Sequence, residues 1–524
     1  MHDDMQAMRV LQMDKCFKDG QIPCRWVPDM GYGYGYPQFI YYSPLPYYVM
    51  EVFHLIGFQI IDSVKIGIIL GFILSGISMF LLGRSLWGNL GGLVSASFYL
   101  YAPYHASDIY TRGAMGEFWA LVFLPVIFWS VLELIKSGKV KFIIYLAMSF
   151  GGLLLTHNIT TIAFTPGLLV WIIFLLLLYK KENIKKILLG IFWGFGLSAF
   201  YTLPVVFEKK FAHTETMIAG YFNYLAHFVS VNQLFLSTFW GYGSSELGPY
   251  DDLSFSIGII FWVVALIVLI ISIFLRKKDK KTFRLVCFFV IFGLSAVFMT
   301  HQKSSFIWKS LPVLAYFQFP WRFLTIISFA FSTIAGALIY YLKNSKAKIA
   351  LTCSLILTVI ITNAFYFNPS AWFNISDKEK FSGELWQKQL TISIFDYLPI
   401  FAVAPPDKQA PKIPYAIAGE IKVIDYRKGS DWQKGEIEVN SPDAKVVIPL
   451  YYFPGFKVWV DNKPTEVKHD NFLGLITVNI LNGKHDITVK LTRTPVRVIG
   501  DGLTLLSFAL LLFVLLKRKY VKET

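Results

Sequence analysis

Long apolar runs separated by short polar segments fill most of the chain from residue 64 onward. A helix of about 20 apolar residues is long enough to cross a bilayer. The pattern predicts membrane spans at 64–84, 88–104, 115–135, 141–156, 159–179, 187–205, 254–275, 285–300, 323–341, 349–367 and 497–516. We therefore expect an α-helical multispan membrane protein, with a bundle over 64–367 and a final span with a basic tail over 497–524.

Two segments outside these runs have patterns of their own. Residues 1–63 combine helical periodicity at 4–18 with a Tyr-rich stretch, which predicts an outer loop with helices at the membrane surface. Within 368–496, positions 417–493 alternate with a period of two. This alternation predicts an antiparallel β-sandwich of about seven short strands, with Asn482-Gly483 as a hairpin turn. A half-apolar stretch near 225–241 predicts a re-entrant or interfacial helix.

The distribution of Lys and Arg among the loops predicts how the chain is oriented in the membrane. The 524 residues are 55% hydrophobic and 16% charged, with a formal net charge of +15. Lys and Arg cluster in the short loops 136–140, 180–186 and 276–284, and in the C-terminal tail, which marks these as cytoplasmic. We therefore expect a multi-pass cell-membrane protein with its C-terminus inside and its β-domain outside, and no nucleic-acid partner.

The same orientation places the N-terminus outside, although no span precedes it. We expect that a first transmembrane helix is missing from this sequence; the alternative is that Met1 is the true start and the segment crosses unaided. Cys16 and Cys24 share this outer segment, where they would form either a disulfide or two free thiols.

The densest polar cluster between two spans contains Asp108, Arg112 and Glu117. Charged groups at membrane depth are costly and usually functional. Carboxylates suit a divalent cation, and a guanidinium suits phosphate oxygens, so the cluster fits a metal–phosphate substrate. The alternative is an internal ion pair that positions the loop.

An acidic pair, Asp3 and Asp4, precedes the first predicted helix. Either carboxylate could act as a general base, and Asp4 with Asp108 could hold Mg²⁺ or Mn²⁺. The alternative is a helix N-cap.

Further polar groups lie at the outer ends of spans, where they could bind the phosphate of a lipid carrier: His157, Lys209, Lys210 and Arg322. Each has a simpler interpretation. His157 could be an interfacial hydrogen-bonding residue, the two lysines could lie on a solvated loop, and Arg322 could anchor its span at the interface.

Several stretches together resemble a bacterial family of multispan membrane proteins described as "6-pyruvoyl-tetrahydropterin synthase-related". They are 18–26, 31–37, 110–117, 155–158 and 319–323. The resemblance extends to about residue 370, and no His triad of a pterin synthase is present. The architecture also resembles the GT-C glycosyltransferases, which implies a polyprenyl-phosphate sugar donor, with Asp3 or Asp4 and then Asp108 or Glu117 at the acidic positions of the outer loops.

The sequence thus favours a GT-C-type glycosyltransferase that takes a sugar from a polyprenyl-phosphate carrier on the outer face of the membrane. Its partners would be membrane lipids, that donor, and an acceptor glycan, lipid or protein. Two alternatives are a transporter or flippase for lipid-linked glycans and a non-catalytic cell-envelope assembly protein.

Overall fold

The structure is a computed structural model that describes residues 2–180, 183–247, 251–369, 371–392 and 396–523, with backbone only for Ile392 and 518–523. Its helices are α1 Gln6–Lys18, α2 Gln38–Tyr41, α3 Leu45–Leu55, α4 Ile60–Leu100, α5 Pro103–Ala106, α6 Met115–Ser137, α7 Lys141–Leu154, α8 Asn158–Tyr179, α9 Ile184–Phe207, α10 Val231–Phe235, α11 Ile259–Leu275, α12 Lys280–Thr300, α13 Ser305–Ser310, α14 Leu324–Ala335, α15 Ala337–Tyr340, α16 Ser345–Asn363, α17 Asp377–Lys380, α18 Gly383–Ile392 and α19 Pro495–Glu523.

The predicted spans correspond to these helices. Over the described residues, 8 helices are long and apolar enough to cross a membrane, and α7 and α11 are shorter apolar helices. The 41-residue α4 contains two predicted spans, because it turns back at Gly88 (φ 80°, ψ 176°). A Cβ on Gly83 would meet Ser95 and Gly92, so the two halves pack closely and run antiparallel. The prediction of a multispan helical protein is confirmed.

The extramembrane β-domain is also confirmed, although its strands differ from the prediction. The sheet is antiparallel, with strands β1 Tyr415–Ala418, β2 Ile421–Lys428, β3 Trp432–Tyr451, β4 Phe456–Val460, β5 Lys463–Thr465 and β6 Leu475–Leu491. In the described part of the chain the strand order is β1-β3-β6-β4-β5, and β2 also pairs with β3. The two long strands replace several of the short ones that the pattern predicted.

The predicted hairpin at Asn482-Gly483 is wrong, because β6 runs straight through it. Gly483 pairs with Val439, and the Asn482 side chain donates to the carbonyls of Val439 and Ser441. The register between β3 and β6 shifts at this point, because residues 440–442 of β3 lie opposite Asn482 alone. Asn482 and Gly483 therefore continue the strand beside a bulge in β3 and do not form a turn. The helix predicted near 225–241 is likewise reduced to α10, which is preceded by short 3₁₀ turns.

The β-domain does not stand apart from the first outer loop. Its buried side chains share one apolar cluster with residues of the loop, including Trp26 and Tyr41. Trp26 packs against Phe453 and Phe456, with ring centroids 5.7 and 4.9 Å apart. The aromatic run at 451–459 therefore contributes mainly to this core. Cys16 and Cys24 form a disulfide inside the same loop.

Candidate functional site

A cavity of about 870 Å³ opens where the loops predicted to be outside the membrane meet the ends of the helices. Its walls come from stretches far apart in sequence: 2–9, 41–43, 112–117, 156–162, 205–222, 312–322 and 396–397. These stretches lie in or beside the segments predicted to be outside the membrane. A cavity of this size is typical of a site for a small molecule or the head of a larger ligand.

Glu117, in the first turn of α6, is the centre of a buried polar network on the cavity wall. Its carboxylate accepts hydrogen bonds from Tyr104 Oη at 2.7 Å, Arg112 Nη1 at 2.9 Å and Thr325 Oγ1 at 3.1 Å. Arg322 Nε lies 3.4 Å from the same carboxylate. One acid therefore fixes two guanidinium groups that come from separate outer segments.

Arg112 is positioned by the π-helical turn Ser107–Arg112, which ends at Gly113 with φ 70°. This left-handed backbone favours glycine and lets the chain turn directly into α6. The guanidinium also bonds to Asp108 and lies 4.5 Å from the ring centroid of Trp321. Asp108 is fully buried behind Arg112, and burial together with the charge of Glu117 raises its pKa well above the usual range.

His157 faces the same wall at the start of α8. Burial and the charges of Arg322 and Arg112 lower its pKa to about 3, against the opposing charge of Glu117, so the ring is neutral at physiological pH. The Thr160 backbone N–H donates to Nδ1 at 3.3 Å. Nδ1 is therefore the unprotonated nitrogen, and Nε2–H is the donor of the neutral ring.

Gly116 makes this arrangement possible. A Cβ at this position would lie 2.5 Å from the carbonyl oxygen of Thr156 and 3.6 Å from the His157 ring. The first turn of α6 therefore packs directly against the connection that carries His157. A larger residue would separate Glu117 from His157.

The start of the chain docks onto the same region. The backbone N–H groups of His2 and Asp3 donate to the carbonyls of Thr111 and Arg112, at 2.8 and 2.9 Å. Asp3 lines the cavity, and its carboxylate pairs with Arg9 Nη1 at 2.7 Å. Asp3 therefore lies beside the Arg112 segment, a proximity that the sequence did not indicate.

The side chain of Asp4 bonds to residues away from the cavity wall. Its carboxylate accepts from Lys380 Nζ at 2.5 Å and from Gln389 Nε2 at 3.4 Å. It thus joins the first loop to α17 and α18, and it is not among the described residues that line the cavity.

Lys209 and Lys210 also differ in position. Lys209 lines the cavity, with its ammonium 3.9 Å from the ring centroid of Tyr316. Lys210 is exposed beside Phe211 and lies off the cavity wall. Of the charged groups predicted to bind phosphate, Arg112, Arg322 and Lys209 therefore share one cavity with His157.

Sequence reasoning missed three residues of this site. Tyr104 bonds both Glu117 and Arg112, Arg9 holds Asp3, and Asp396 adds a carboxylate from the segment before the β-domain. Arg9 lies inside the helix predicted at 4–18. A charged residue among the apolar positions of that helix was a signal that could have identified it. Asp396 had no local signal, because its position depends on how the C-terminal segment returns to the bundle.

A divalent cation fits these residues poorly. Across the described ranges, no group of three or more His, Cys, Asp or Glu side chains that could hold a metal ion is present. Asp108 and Glu117 already surround Arg112, and Asp4 pairs with Lys380. The space between the acids is thus filled by a guanidinium.

The fold and the cavity define a polytopic membrane protein with an arginine-lined site at the ends of its helices, beside the first loop. Residues 39–370 match the family described as "6-pyruvoyl-tetrahydropterin synthase related domain; membrane protein", and the chain belongs to this family. The predicted membership is confirmed.

Two further proteins are similar to this chain. A protein of Lactococcus lactis subsp. cremoris (strain MG1363), described as uncharacterized, is 28% identical over 321 residues, which cover 57% of this chain and 49% of that protein. The chain therefore spans about half the length of this relative. The crystal structure of the apo oligosaccharyltransferase of Archaeoglobus fulgidus matches 79% of this chain and 57% of its own, with 12% identity and a TM-score of 0.42.

Proposed function

We propose that the protein is a membrane glycosyltransferase of GT-C type, which takes a sugar from a polyprenyl-phosphate carrier at the outer face of the cell membrane. The observation that carries this proposal is the convergence of Arg112, Arg322 and the neutral His157 on one cavity. Two guanidinium groups and an N–H donor match the oxygens of a phosphate.

The cavity also has an apolar side suited to a lipid chain. Ile162 on α8 and Val313 line it, and both are about half exposed, at 43% and 48%. Ile162 belongs to a helix that is long and apolar enough to span a membrane, and an exposed apolar side chain on such a helix suits contact with lipid. We infer that the carrier's phosphate enters along this side while its polyprenyl chain stays in the bilayer.

The reaction follows from these positions. A hydroxyl of the acceptor attacks the anomeric carbon of the sugar, and the bond between that carbon and the phosphate oxygen breaks. The leaving phosphate keeps the electron pair, and the fixed charges of Arg112 and Arg322 stabilise it in a buried site. We propose that these guanidiniums neutralise the leaving group directly, without a divalent cation.

The outer orientation is part of the proposal. The disulfide between Cys16 and Cys24 is typical of an oxidising compartment, which supports placing the first loop outside. Basic residues in the short loops support the opposite side as cytoplasmic.

The first test is binding of undecaprenyl phosphate to the purified protein in nanodiscs, measured by native mass spectrometry. We expect Arg322→Gln and His157→Gln each to weaken binding at least tenfold, because each removes a donor to phosphate. Arg84→Gln is the matched control, since Arg84 is exposed at the far turn of α4. Equal binding of undecaprenol, which lacks the phosphate, would contradict the proposal.

The second test separates transfer from transport. Undecaprenyl-phosphate hexoses are added to proteoliposomes together with a cell-envelope fraction as the acceptor source. A transferase releases undecaprenyl phosphate, detected by mass spectrometry. A flippase moves the intact carrier across the bilayer without cleaving it, and an assembly protein does neither.

A further inference from the structure

The carboxylates of the cavity differ in how many partners they have. Glu117 is occupied by Tyr104, Arg112, Thr325 and Arg322. Asp3 is held by Arg9 and by the backbone N–H of Met5. A carboxylate whose lone pairs are already used by cations and donors is a weak acceptor for a further proton.

Asp396 is different. It lines the cavity and is accessible there, and within the described residues its side chain makes no hydrogen bond or ion pair. Of the described acids that line the cavity, it is the one with free carboxylate oxygens.

The residues that follow Asp396 are anchored by contacts with other segments. The N–H of Tyr397 donates to Tyr36 Oη at 2.6 Å, and the Tyr397 ring lies 5.4 Å from that of Tyr41. Two residues on, the Leu398 carbonyl accepts from His213 N–H at 2.9 Å. Asp396 is thus held at the junction of the first loop, the segment after α9 and the approach to the β-domain.

We propose that Asp396 is the general base that accepts the proton of the acceptor hydroxyl in the reaction proposed above, on which this inference rests. As the hydroxyl oxygen bonds to the anomeric carbon, its proton passes to an Asp396 carboxylate oxygen, and the leaving polyprenyl phosphate takes the electron pair of the broken bond. The proton then leaves through the open cavity, which restores the carboxylate.

The surroundings suit this role. Loss of bulk water around the carboxylate inside the cavity is the main cause that raises the pKa of Asp396 above its usual range; the charge of Arg9 opposes this and that of Asp3 adds to it. A base with a raised pKa accepts a proton more readily. Burial, and with it the charge of this carboxylate, raises the pKa of Tyr36, Tyr42 and Tyr397.

The proposal has a structural consequence. Asp396 belongs to the segment between α18 and β1, so the extramembrane region supplies a reacting group and does not only cover the cavity. The acceptor would enter between the first loop and this segment. The donor phosphate would lie at Arg112, Arg322 and His157, which line the same cavity.

The test compares Asp396→Asn with Asp407→Asn, an exposed carboxylate in the same connecting segment that does not line the cavity. Both proteins are assayed for release of undecaprenyl phosphate from undecaprenyl-phosphate hexoses, with the cell-envelope fraction as acceptor source. We expect Asp396→Asn to lower kcat by about 100-fold or more, with KM for the donor and undecaprenyl phosphate binding unchanged. Asp407→Asn should match the wild type, and Asp396→Glu should restore part of the rate.

Two readouts distinguish a base from a residue that only positions the loop. The wild-type rate should rise with pH through the pKa of Asp396, and Asp396→Asn should lose this acidic limb. Azide needs no deprotonation to attack the anomeric carbon, so it should restore donor cleavage in Asp396→Ala.

The outcomes are separable. If the wild type binds and cleaves the donor but Asp396→Asn does so equally fast, the role of Asp396 is wrong and the transferase stands. Lost donor binding in Asp396→Asn, or no recovery with azide, would also reject the base. If the wild type neither binds undecaprenyl phosphate nor cleaves the donor, both proposals fail.

Discussion

The buried acids show how neighbours determine what a single residue does. Glu117 is surrounded by donors and cations and therefore serves to hold other groups. Glu51 on α3 is also fully buried, but in the described residues neither of its carboxylate oxygens has a hydrogen-bond partner. Burial, with the charge of Asp14, raises the pKa of Glu51 to about 8, against the opposing charge of Lys18. Glu51 is thus neutral in the folded protein at pH values where an exposed glutamate is ionised.

This pKa predicts how stability depends on pH. The folded state binds the Glu51 proton more tightly than the unfolded state, so its contribution is complete below about pH 4.5 and is lost as pH rises toward 8. Glu51→Gln, which stays neutral, should raise the apparent melting temperature at pH 8 and leave it nearly unchanged at about pH 4, below the unfolded pKa. Thermal unfolding in detergent at both values checks this. Equal shifts at the two pH values would contradict the raised pKa.

At the scale of elements, the turn inside α4 shows how backbone conformation shapes the bundle. Gly88 has φ 80° and ψ 176°, a region that only glycine adopts readily. A Cβ there would meet nothing within 4 Å, so any cost of substitution comes from the backbone alone. The close packing of Gly83 and Gly92 across the hairpin depends on this turn.

Gly88→Ala should therefore destabilise the protein by about 1–3 kcal/mol, although the added methyl group meets open space. Gly502→Ala is the matched control, because Gly502 also has open space around it and lies in the regular helix α19. We expect a lower apparent melting temperature for Gly88→Ala and an unchanged or higher one for the control. Equal behaviour of the two variants would show that the turn tolerates a side chain.

At the scale of the whole molecule, buried ion pairs connect the last helix to the bundle. Glu208, just after α9, pairs with Arg497 at 2.8 Å, and both side chains are almost fully buried. Arg25 of the first loop pairs with Asp501 at 2.6 Å. The start of α19 is thus tied both to α9 and to the first loop, against which the β-domain also packs.

Breaking one of these pairs should cost more than removing both partners. Glu208→Gln leaves Arg497 as a buried charge without its counter-ion, and a loss of about 3–5 kcal/mol is expected. Arg497→Met should have a similar effect, whereas the double variant should recover much of the stability. Apparent melting temperatures of the four proteins form a double-mutant cycle. Additive losses would mean that the two groups do not interact.

The hairpin predicted at Asn482-Gly483 is wrong for a physical reason. Asn482-Gly483 favours a tight turn by its backbone preferences, but long pairing with β3 outweighs that preference and carries the strand onward. Conversely, α1 formed as its periodicity predicted, because an amphipathic face had a partner surface in α3 and α4.

The sequence by itself determined the membrane-spanning class, the positions of the spans and the existence of an antiparallel β-domain. These features depend on the hydrophobicity of contiguous or alternating residues, which can be read locally. It also singled out Arg112, Glu117, His157 and Arg322 individually, since charges near membrane ends are costly.

Only the tertiary structure decided how these residues combine. That Glu117 holds both arginines, that Asp3 lines the cavity while Asp4 does not, and that Asp396 joins the site all depend on contacts between segments distant in sequence. Such contacts arise from the packing of whole helices and loops, and no local pattern encodes them.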